Sequence, residues 1–123
     1  MQYIHTDKAP AAIGPYSQAI KVGDMVFTSG QIALTPEGEF LDSSVEVQAK
    51  QVLTNLSEVL KEAGSSMQKV VKTTIFLANM DDFAVVNGIY SQAFGDHKPA
   101  RSTVAVKTLP KNALIEIEAV ALI

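Results

Sequence analysis

Apolar residues between positions 43 and 64 recur at intervals of three and four, which is the spacing of an amphipathic helix. Ser43 followed by Glu46 predicts a capping box at the start of this helix, and Gly64 predicts its end. The predicted buried stripe consists of Val45, Ala49, Val52, Leu53, Leu56, Val59, Leu60 and Ala63.

A second, shorter stripe predicts a helix from about Asp82 to Phe94. Asp81 is the predicted N-cap of this helix, and Gly95 is its predicted stop. Its apolar positions are Phe83, Val86, Tyr90 and Phe94.

Runs with alternating or β-branched residues predict strands before, between and after the helices. Gly23 and Asp24 separate two of these runs and predict a two-residue hairpin. Residues 6–18 contain two prolines and Gly14, a composition that predicts an extended loop. The predicted strands are Met1–His5 as a short edge strand, Ala19–Val22, Met25–Gln31, Val70–Leu77, Thr103–Val106 and Leu114–Ile123.

This order of elements predicts one domain over residues 1–123, an α+β two-layer sandwich with both helices on one face of the sheet. The other face of the sheet is then left open. Because the last strand carries apolar residues on both sides, that open face exposes a sizeable apolar area unless another subunit covers it.

The last predicted strand carries two acids, Glu116 and Glu118, among apolar residues. Because side chains alternate between the faces of a strand, both acids point the same way, opposite Ile115 and Ile117. Two acids in an apolar strand need a partner or a wet cleft. The obvious candidate partner in this sequence is Arg101.

Arg101 follows Pro99, which biases Lys98 toward an extended conformation, so the arginine lies at the entrance of a predicted strand. Its planar guanidinium is permanently charged and fits a carboxylate through two hydrogen bonds. Spacing alone leaves two interpretations open. Arg101 either forms a structural ion pair with Glu116 or Glu118, or it binds the carboxylate of a substrate.

The composition excludes several kinds of site. The chain has 123 residues, a formal net charge of −3 and no cysteine, so it has no disulfide, thiolate metal site or cysteine nucleophile. The acidic balance argues against a broad surface for nucleic acid. His5 and His97 lack the spacing of metal ligands, and we expect neither a metal nor a cofactor.

Residues 1–20 hold no basic segment followed by an apolar one, so we expect no secretory signal. No apolar run approaches the roughly 20 residues that a membrane span needs. We therefore expect a cytoplasmic protein that does not contact the membrane.

Several separated motifs occur in an order that resembles one known family. They are A-P-A-A-I-G-P-Y-S-Q-A (residues 9–19), T-S-G-Q-I (28–32), V-K-T-T-I-F-L (71–77), F-A-V-V-N (83–87), P-A-R-S-T-V (99–104), L-P-K-N-A (109–113) and I-E-I (115–117). Together they resemble the reactive intermediate deaminases, the RidA or YjgF-type proteins, which hydrolyse enamines and imines. The resemblance implies a mixed sheet of the chorismate-mutase-like fold and a homotrimer with clefts between its subunits.

The resemblance also implies roles for individual residues. Arg101 binds the substrate carboxylate, Glu116 helps to place or activate the attacking water, and the main-chain carbonyl of Thr103 holds that water. Many family members have cysteine in place of Thr103, so a main-chain role survives here and a thiol role does not. Further residues implied to line the pocket are Tyr16, Ser29, Gly30 and Asn87.

Each of these pocket residues also has a structural interpretation. Tyr16 fits a loop anchor, Gly30 fits a bulge in a strand, and Asn87 fits a hydrogen-bonding residue within a helix. Glu116 fits a salt bridge at a subunit interface. Glu118 has no motif support, and we interpret it as structural.

The leading hypothesis is a 2-iminobutanoate/2-iminopropanoate deaminase that acts on small 2-imino and 2-enamino acids. Such substrates are released by pyridoxal-phosphate-dependent dehydratases of threonine and serine. The main alternative is a binding or regulatory protein that senses a small carboxylate without physiological turnover.

Two further activities fit the sequence less well. A ribonuclease fits poorly with the acidic charge and the lack of a histidine pair. A chorismate mutase needs several cations around its dianionic substrate, and only Arg101 is a clear candidate.

Overall fold

The computed structural model describes residues 1–123 as a six-stranded sheet with two α-helices and three short 3-10 turns. In chain order the elements are β1 (Gln2–Ile4), β2 (Ala19–Val22), β3 (Met25–Thr28), α1 (Val45–Glu62), β4 (Val70–Leu77), α2 (Phe83–Phe94), β5 (Ala100–Ala105) and β6 (Ile115–Leu122).

The strands lie in the order β1-β2-β3-β6-β4-β5, so the last strand of the chain occupies the middle of the sheet. β4 and β5 are parallel, and every other neighbouring pair is antiparallel. α2 connects the two parallel strands, as a crossover connection requires. The predicted α+β class with a mixed sheet and two helices is confirmed.

The core lies between the helices and one face of the sheet. All eight residues of the stripe predicted for α1 are buried. From α2, Val86, Tyr90 and Phe94 are buried, whereas Phe83 is only partly covered. β6 contributes alternate residues to the core, namely Ile115, Ile117, Ala119 and Ala121.

Both helices begin differently from the prediction. Ser44, and not Ser43, caps α1, because its hydroxyl accepts a hydrogen bond of 3.3 Å from the amide of Val47. α2 begins only at Phe83, after a 3-10 turn over Met80–Asp82. Asn79 caps that turn by accepting a 2.9 Å hydrogen bond from the amide of Asp81, so Asp81 is not the cap. Sequence spacing could not distinguish neighbouring polar residues as caps.

Two strand boundaries also differ. β3 ends at Thr28, three residues before the predicted Gln31, which instead forms an isolated bridge to Ile117. β5 begins at Ala100, so Arg101 lies within the strand beside Thr73 of β4. Pairing with β4 extends β5 toward Pro99, beyond the β-branched run that predicted it.

Gln18 fixes the loop that connects β1 to β2. Its side chain is buried and accepts a 2.7 Å hydrogen bond from the amide of Thr6. The side-chain nitrogen of Gln18, Nε2, donates to the carbonyls of Thr6 and Pro10, at 3.0 and 2.8 Å. One side chain therefore satisfies buried main-chain groups that a loop cannot pair internally.

The face of the sheet opposite the helices carries a row of apolar side chains. Tyr3, Ile20, Phe27 and Val120 lie beside one another on four adjacent strands. Tyr3 is 71% exposed and Phe27 is 45% exposed, which is unusual for large apolar residues beside one another.

Neither α1 nor α2 is long and apolar enough to cross a membrane.

Replacement of Gln18 by leucine tests its role in holding the loop. Gln18→Leu leaves three buried main-chain groups without their partner, and we expect a loss of about 2–4 kcal/mol in the free energy of unfolding. Urea denaturation measures this loss. Gln92→Leu on the exposed side of α2 is the matched control and should change stability by less than about 0.5 kcal/mol. An equally small effect of Gln18→Leu would contradict this role.

Candidate active site

Arg101 lies on β5 and reaches toward α2. Its Nη1 donates a 2.8 Å hydrogen bond to Oδ1 of Asn87. Its guanidinium carbon lies 5.4 Å from the ring centre of Phe83 and 5.0 Å from that of Tyr90, within the range of cation–π contact. The three α2 residues share one helical face because they are four and three positions apart.

Thr103 lies two residues further along β5, on the same side as Arg101. β5 is the last strand of the sheet, so one of its edges has no neighbouring strand within the chain. The amide of Val106 donates to the carbonyl of Leu77 on β4 at 2.9 Å. Main-chain groups alternate along a strand, so those of Arg101 and Thr103 point to the free edge. The carbonyl of Thr103 is therefore available to hold a water or a ligand.

The hydroxyl of Thr103, unlike its carbonyl, does not face the free edge and forms no hydrogen bond within the chain. Its Oγ1 is buried and has no hydrogen-bond partner. A buried hydroxyl without a partner costs about 1–3 kcal/mol relative to a satisfied one. The side chain at this position is consequently under no requirement to be polar for the sake of stability.

Glu116 lies on β6 against Gly30, on the face of the sheet opposite the helices. The bridge between Gln31 and Ile117 brings the two segments together. A Cβ atom at Gly30 would lie 2.7 Å from Cδ and 2.9 Å from Cγ of Glu116. Only glycine leaves room for the carboxylate in its present place, and this close approach explains the glycine that interrupts the predicted strand.

Ser29 connects this segment to the loop that carries Tyr16. Its hydroxyl donates a 2.5 Å hydrogen bond to the carbonyl of Ser17, and its amide donates a 2.9 Å hydrogen bond to the carbonyl of Gln18. Tyr16 itself is 55% exposed and follows a turn at Gly14. The main chain just after Tyr16 is thus held beside the segment that includes Gly30, and the side chain of Tyr16 is open to solvent.

The carboxyl group of Glu116 is electrostatically unusual. Burial raises its pKa above the usual glutamate range, and the neighbouring charge of Glu118 raises that pKa further. Glu118 lies on the same face of β6, opposite Thr74, and Glu116 lies opposite Phe76. Glu116 therefore binds a proton more readily than an ordinary surface glutamate does.

The structure separates these residues into two groups. The first contains Asn87, Arg101 and Thr103, on the helix side at the β5 edge. The second contains Gly30 and Glu116, on the open face, together with Ser29 and the loop of Tyr16, which adjoin Gly30 along the chain. β4 lies between β5 and β6, and its Thr73 and Phe76, which pair with Arg101 and Glu116, point to opposite faces.

The ion pair considered between Arg101 and Glu116 or Glu118 does not form within one chain. The only salt bridges in the chain are His5 with Asp7 and Glu58 with Lys61. The register explains this outcome, because the sheet itself stands between the arginine and the acids. Arg101 is thus a cation whose nearest side-chain partners are all uncharged.

A cavity of about 420 Å³ adjoins Arg101 between α2 and the loop before β5. Asn87 and Tyr90 line it on the helix side, and His97 and Lys98 line it on the loop side. Tyr90 is buried, as its place in the apolar stripe predicted, but its position beside Arg101 was not predicted. Tyr90 belongs to the same apolar stripe as Val86 and Phe94, and the spacing of that stripe does not show which of its rings contacts Arg101.

Known proteins resemble the sequence of this chain over nearly its whole length. The family model described as Endoribonuclease L-PSP matches residues 6–123. The 2-iminobutanoate/2-iminopropanoate deaminase of Homo sapiens is 50% identical over 97% of this chain and 88% of the human protein. The putative regulator AldR of Lactococcus lactis is 52% identical over 98% of this chain and 97% of its own.

A solved structure shows the same architecture. Escherichia coli TdcF with bound serine superimposes with a TM-score of 0.95 at 42% identity, and the match covers 100% of this chain and 99% of that chain. The chain belongs to the family of the Endoribonuclease L-PSP model, which is the RidA/YjgF family. The resemblance drawn from the sequence motifs is confirmed.

Replacement of Thr103 by valine tests the assignment to its main chain. Because Thr103→Val removes an unpaired buried hydroxyl, the free energy of unfolding should stay the same or rise by up to about 1 kcal/mol. Activity should remain within about tenfold of the parent, as it should for Thr103→Cys. A loss of more than about a hundredfold, roughly 2.7 kcal/mol of barrier, would show that the hydroxyl takes part.

Thr73→Val is the matched control for stability. The hydroxyl of Thr73 shares a 2.6 Å hydrogen bond with that of Tyr90 in the core, so its removal leaves a buried phenol unpaired. We expect this variant to lose about 1 kcal/mol or more, measured by urea denaturation beside Thr103→Val.

Proposed function

We propose that the chain is a 2-iminobutanoate/2-iminopropanoate deaminase, which hydrolyses reactive enamines and imines to 2-oxo acids and ammonia. The observation that carries the proposal is Arg101, a guanidinium on a β-strand that has no acidic partner within the chain. Such a group is suited to bind the carboxylate of a small acid. The human relative supports the choice of substrate by its name.

The proposed chemistry requires little from the protein. Arg101 binds the carboxylate of the protonated imine, whose carbon is already electrophilic. The carbonyl of Thr103 and the carboxylate of Glu116 hold a water against that carbon. The water oxygen bonds to the carbon while Glu116 takes a proton, and the raised pKa of Glu116 makes it a better base than usual.

The carbinolamine that results then collapses. Protonated Glu116 returns its proton to the nitrogen, and the carbon–nitrogen bond breaks. Ammonia leaves, and the hydroxyl loses its proton to solvent water as the carbonyl of the 2-oxo acid forms. Because the free imine also hydrolyses in water, orientation and proton transfer supply the proposed acceleration. Tyr16, Ser29 and the main chain of Gly30 would line the pocket on the Glu116 side.

This mechanism needs two copies of the chain at each site. Arg101 and Glu116 lie on opposite sides of the sheet within one chain, so a substrate that contacts both must lie between neighbouring subunits. The exposed apolar row on the open face is a surface that such an assembly would cover. We propose the homotrimer that the family resemblance implies.

The alternative is a protein that binds a small carboxylate and regulates a partner. The name of the Lactococcus relative and the serine bound to TdcF favour this possibility. The same Arg101 would serve in both cases. Ligand binding that saturates without any turnover would support the regulator over the enzyme.

Ribonuclease activity is less well supported, although it appears in the description of the family. His5 is engaged with Asp7 at 2.9 Å, and Nε2 of His97 lies 2.6 Å from the carbonyl of Val70. His5 follows β1 and His97 precedes β5, and these strands are the opposite edges of the sheet, so the two histidines do not form a catalytic pair.

A coupled assay tests the proposed activity. A threonine dehydratase generates the enamine in the presence and absence of the purified protein, and the appearance of 2-oxobutanoate is followed with time. We expect faster appearance with the protein. An unchanged rate at micromolar protein would overturn the proposal.

Substitution of Arg101 separates binding from structure. Lysine keeps the charge but loses the planar fork, so Arg101→Lys should remain folded and assembled yet lose about one to two decades of activity. Arg101→Ala should lose nearly all activity. If Arg101→Lys melted early but hydrolysed the imine at the parent rate, Arg101 would be a structural brace.

Assembly is tested by light scattering on the purified protein. The shared site requires several subunits, and we expect a mass about three times the 13.2 kDa of one chain. A stable monomer that retains full activity would contradict a site built from two subunits.

A further inference from the structure

Arg101 is surrounded by side chains that hold it without neutralising it. Asn87 accepts one hydrogen bond from the guanidinium, and the rings of Phe83 and Tyr90 lie against it. We propose that these three residues of α2, the uncharged cradle, position Arg101 and keep its positive charge free for the substrate carboxylate. This inference rests on the proposed role of Arg101 as the carboxylate receptor.

The geometry of the contacts supports a positioning role. A guanidinium has five N–H donors, and Asn87 uses one of them. Phe83 and Tyr90 contact the guanidinium with their rings, which lie 5.4 and 5.0 Å from its carbon, and an aromatic ring carries no oxygen or nitrogen acceptor that would occupy the remaining donors. The fork that binds a carboxylate through two hydrogen bonds therefore stays available while the plane of the group is restrained.

Tyr90 is itself fixed from below by β4. Its hydroxyl shares the 2.6 Å hydrogen bond with Thr73, which is fully buried and lies beside Arg101 in the register of β4 and β5. Tyr90 also packs on Phe94, with 4.5 Å between ring centres. The ring of Tyr90 thus cannot rotate away from Arg101 without breaking a buried hydrogen bond. Thr73 is therefore a further positioning residue, which acts through Tyr90.

The absence of charge in the cradle matters as much as its shape. A carboxylate in place of the amide of Asn87 would have nearly the same volume and would pair with Arg101. Such an ion pair would compete with the substrate for the same cation. An asparagine at this position gives the hydrogen bond and leaves the charge uncompensated.

The binding of 2-oxobutanoate, measured by isothermal titration calorimetry on the assembled protein, tests the cradle without reliance on turnover. Asn87→Asp should weaken binding by at least tenfold while the melting temperature stays the same or rises. Tyr90→Leu and Phe83→Leu should each weaken binding by about tenfold, because the guanidinium loses one wall. Tyr90→Phe and Thr73→Val keep the ring and should cost only about threefold.

The steady-state kinetics of imine hydrolysis should rank the variants in the same order. KM should rise and kcat should change less, since the carboxylate is bound in both the ground and transition states. Thr54→Val, on the exposed surface of α1, is the matched control and should bind as the parent does. The Nε–H resonance of Arg101, assigned by its loss in Arg101→Lys, should broaden or shift in the cradle variants only.

The results distinguish this inference from the proposed function. If Arg101→Lys weakens binding of 2-oxobutanoate while Asn87→Asp, Phe83→Leu and Tyr90→Leu bind as the parent does, the cradle is only packing and the inference is wrong. If Arg101→Lys itself binds as the parent does, the receptor role in the proposed function fails, and the cradle fails with it. Asn87→Asp preserves side-chain volume and is expected to keep or raise the melting temperature, so one decisive variant remains even where a leucine variant folds poorly.

Discussion

The register of β6 between β3 and β4 is the constraint on which the rest of the structure depends. β6 alternates core residues such as Ile115 and Ile117 with Glu116 and Glu118 on the other face. A slip of one residue would place both acids under α1 and the isoleucines in solvent. The hydrophobic effect therefore selects one register, and that register sets the position of every group along the middle of the sheet.

The separation of charge follows directly from this register. Glu116 is on the open face and Arg101 is on the helix side, with β4 between their strands. Because neither group neutralises the other within a chain, Arg101 and Glu116 each lack a partner of opposite charge. The burial of Glu116 beside Glu118 raises its pKa, and the surroundings of Arg101 provide only neutral contacts. In the proposed site between two subunits, one substrate would contact both groups.

Rigid main-chain contacts hold the rest of the candidate site. Gln18 fixes the loop that carries Tyr16, and the bridge from Gln31 to Ile117 holds Gly30 against Glu116. Thr103 lies on a strand whose free edge exposes its carbonyl. Catalysis that depends on orientation benefits from groups that are placed on strands and clamped loops, because little movement remains to be restrained when the ligand binds.

The sequence by itself determined both helices, all six strands to within three residues at either end, and the alternation of β6, because each depends on the local periodicity of apolar side chains. Its motifs also determined the family. Only the tertiary structure decided that β6 lies in the middle of the sheet, that Arg101 and Glu116 point to opposite sides, and that the ring of Tyr90 lies beside Arg101. These facts depend on strand order and on packing between distant segments, and the spacing of residues along one strand carries no information about which strand pairs beside it.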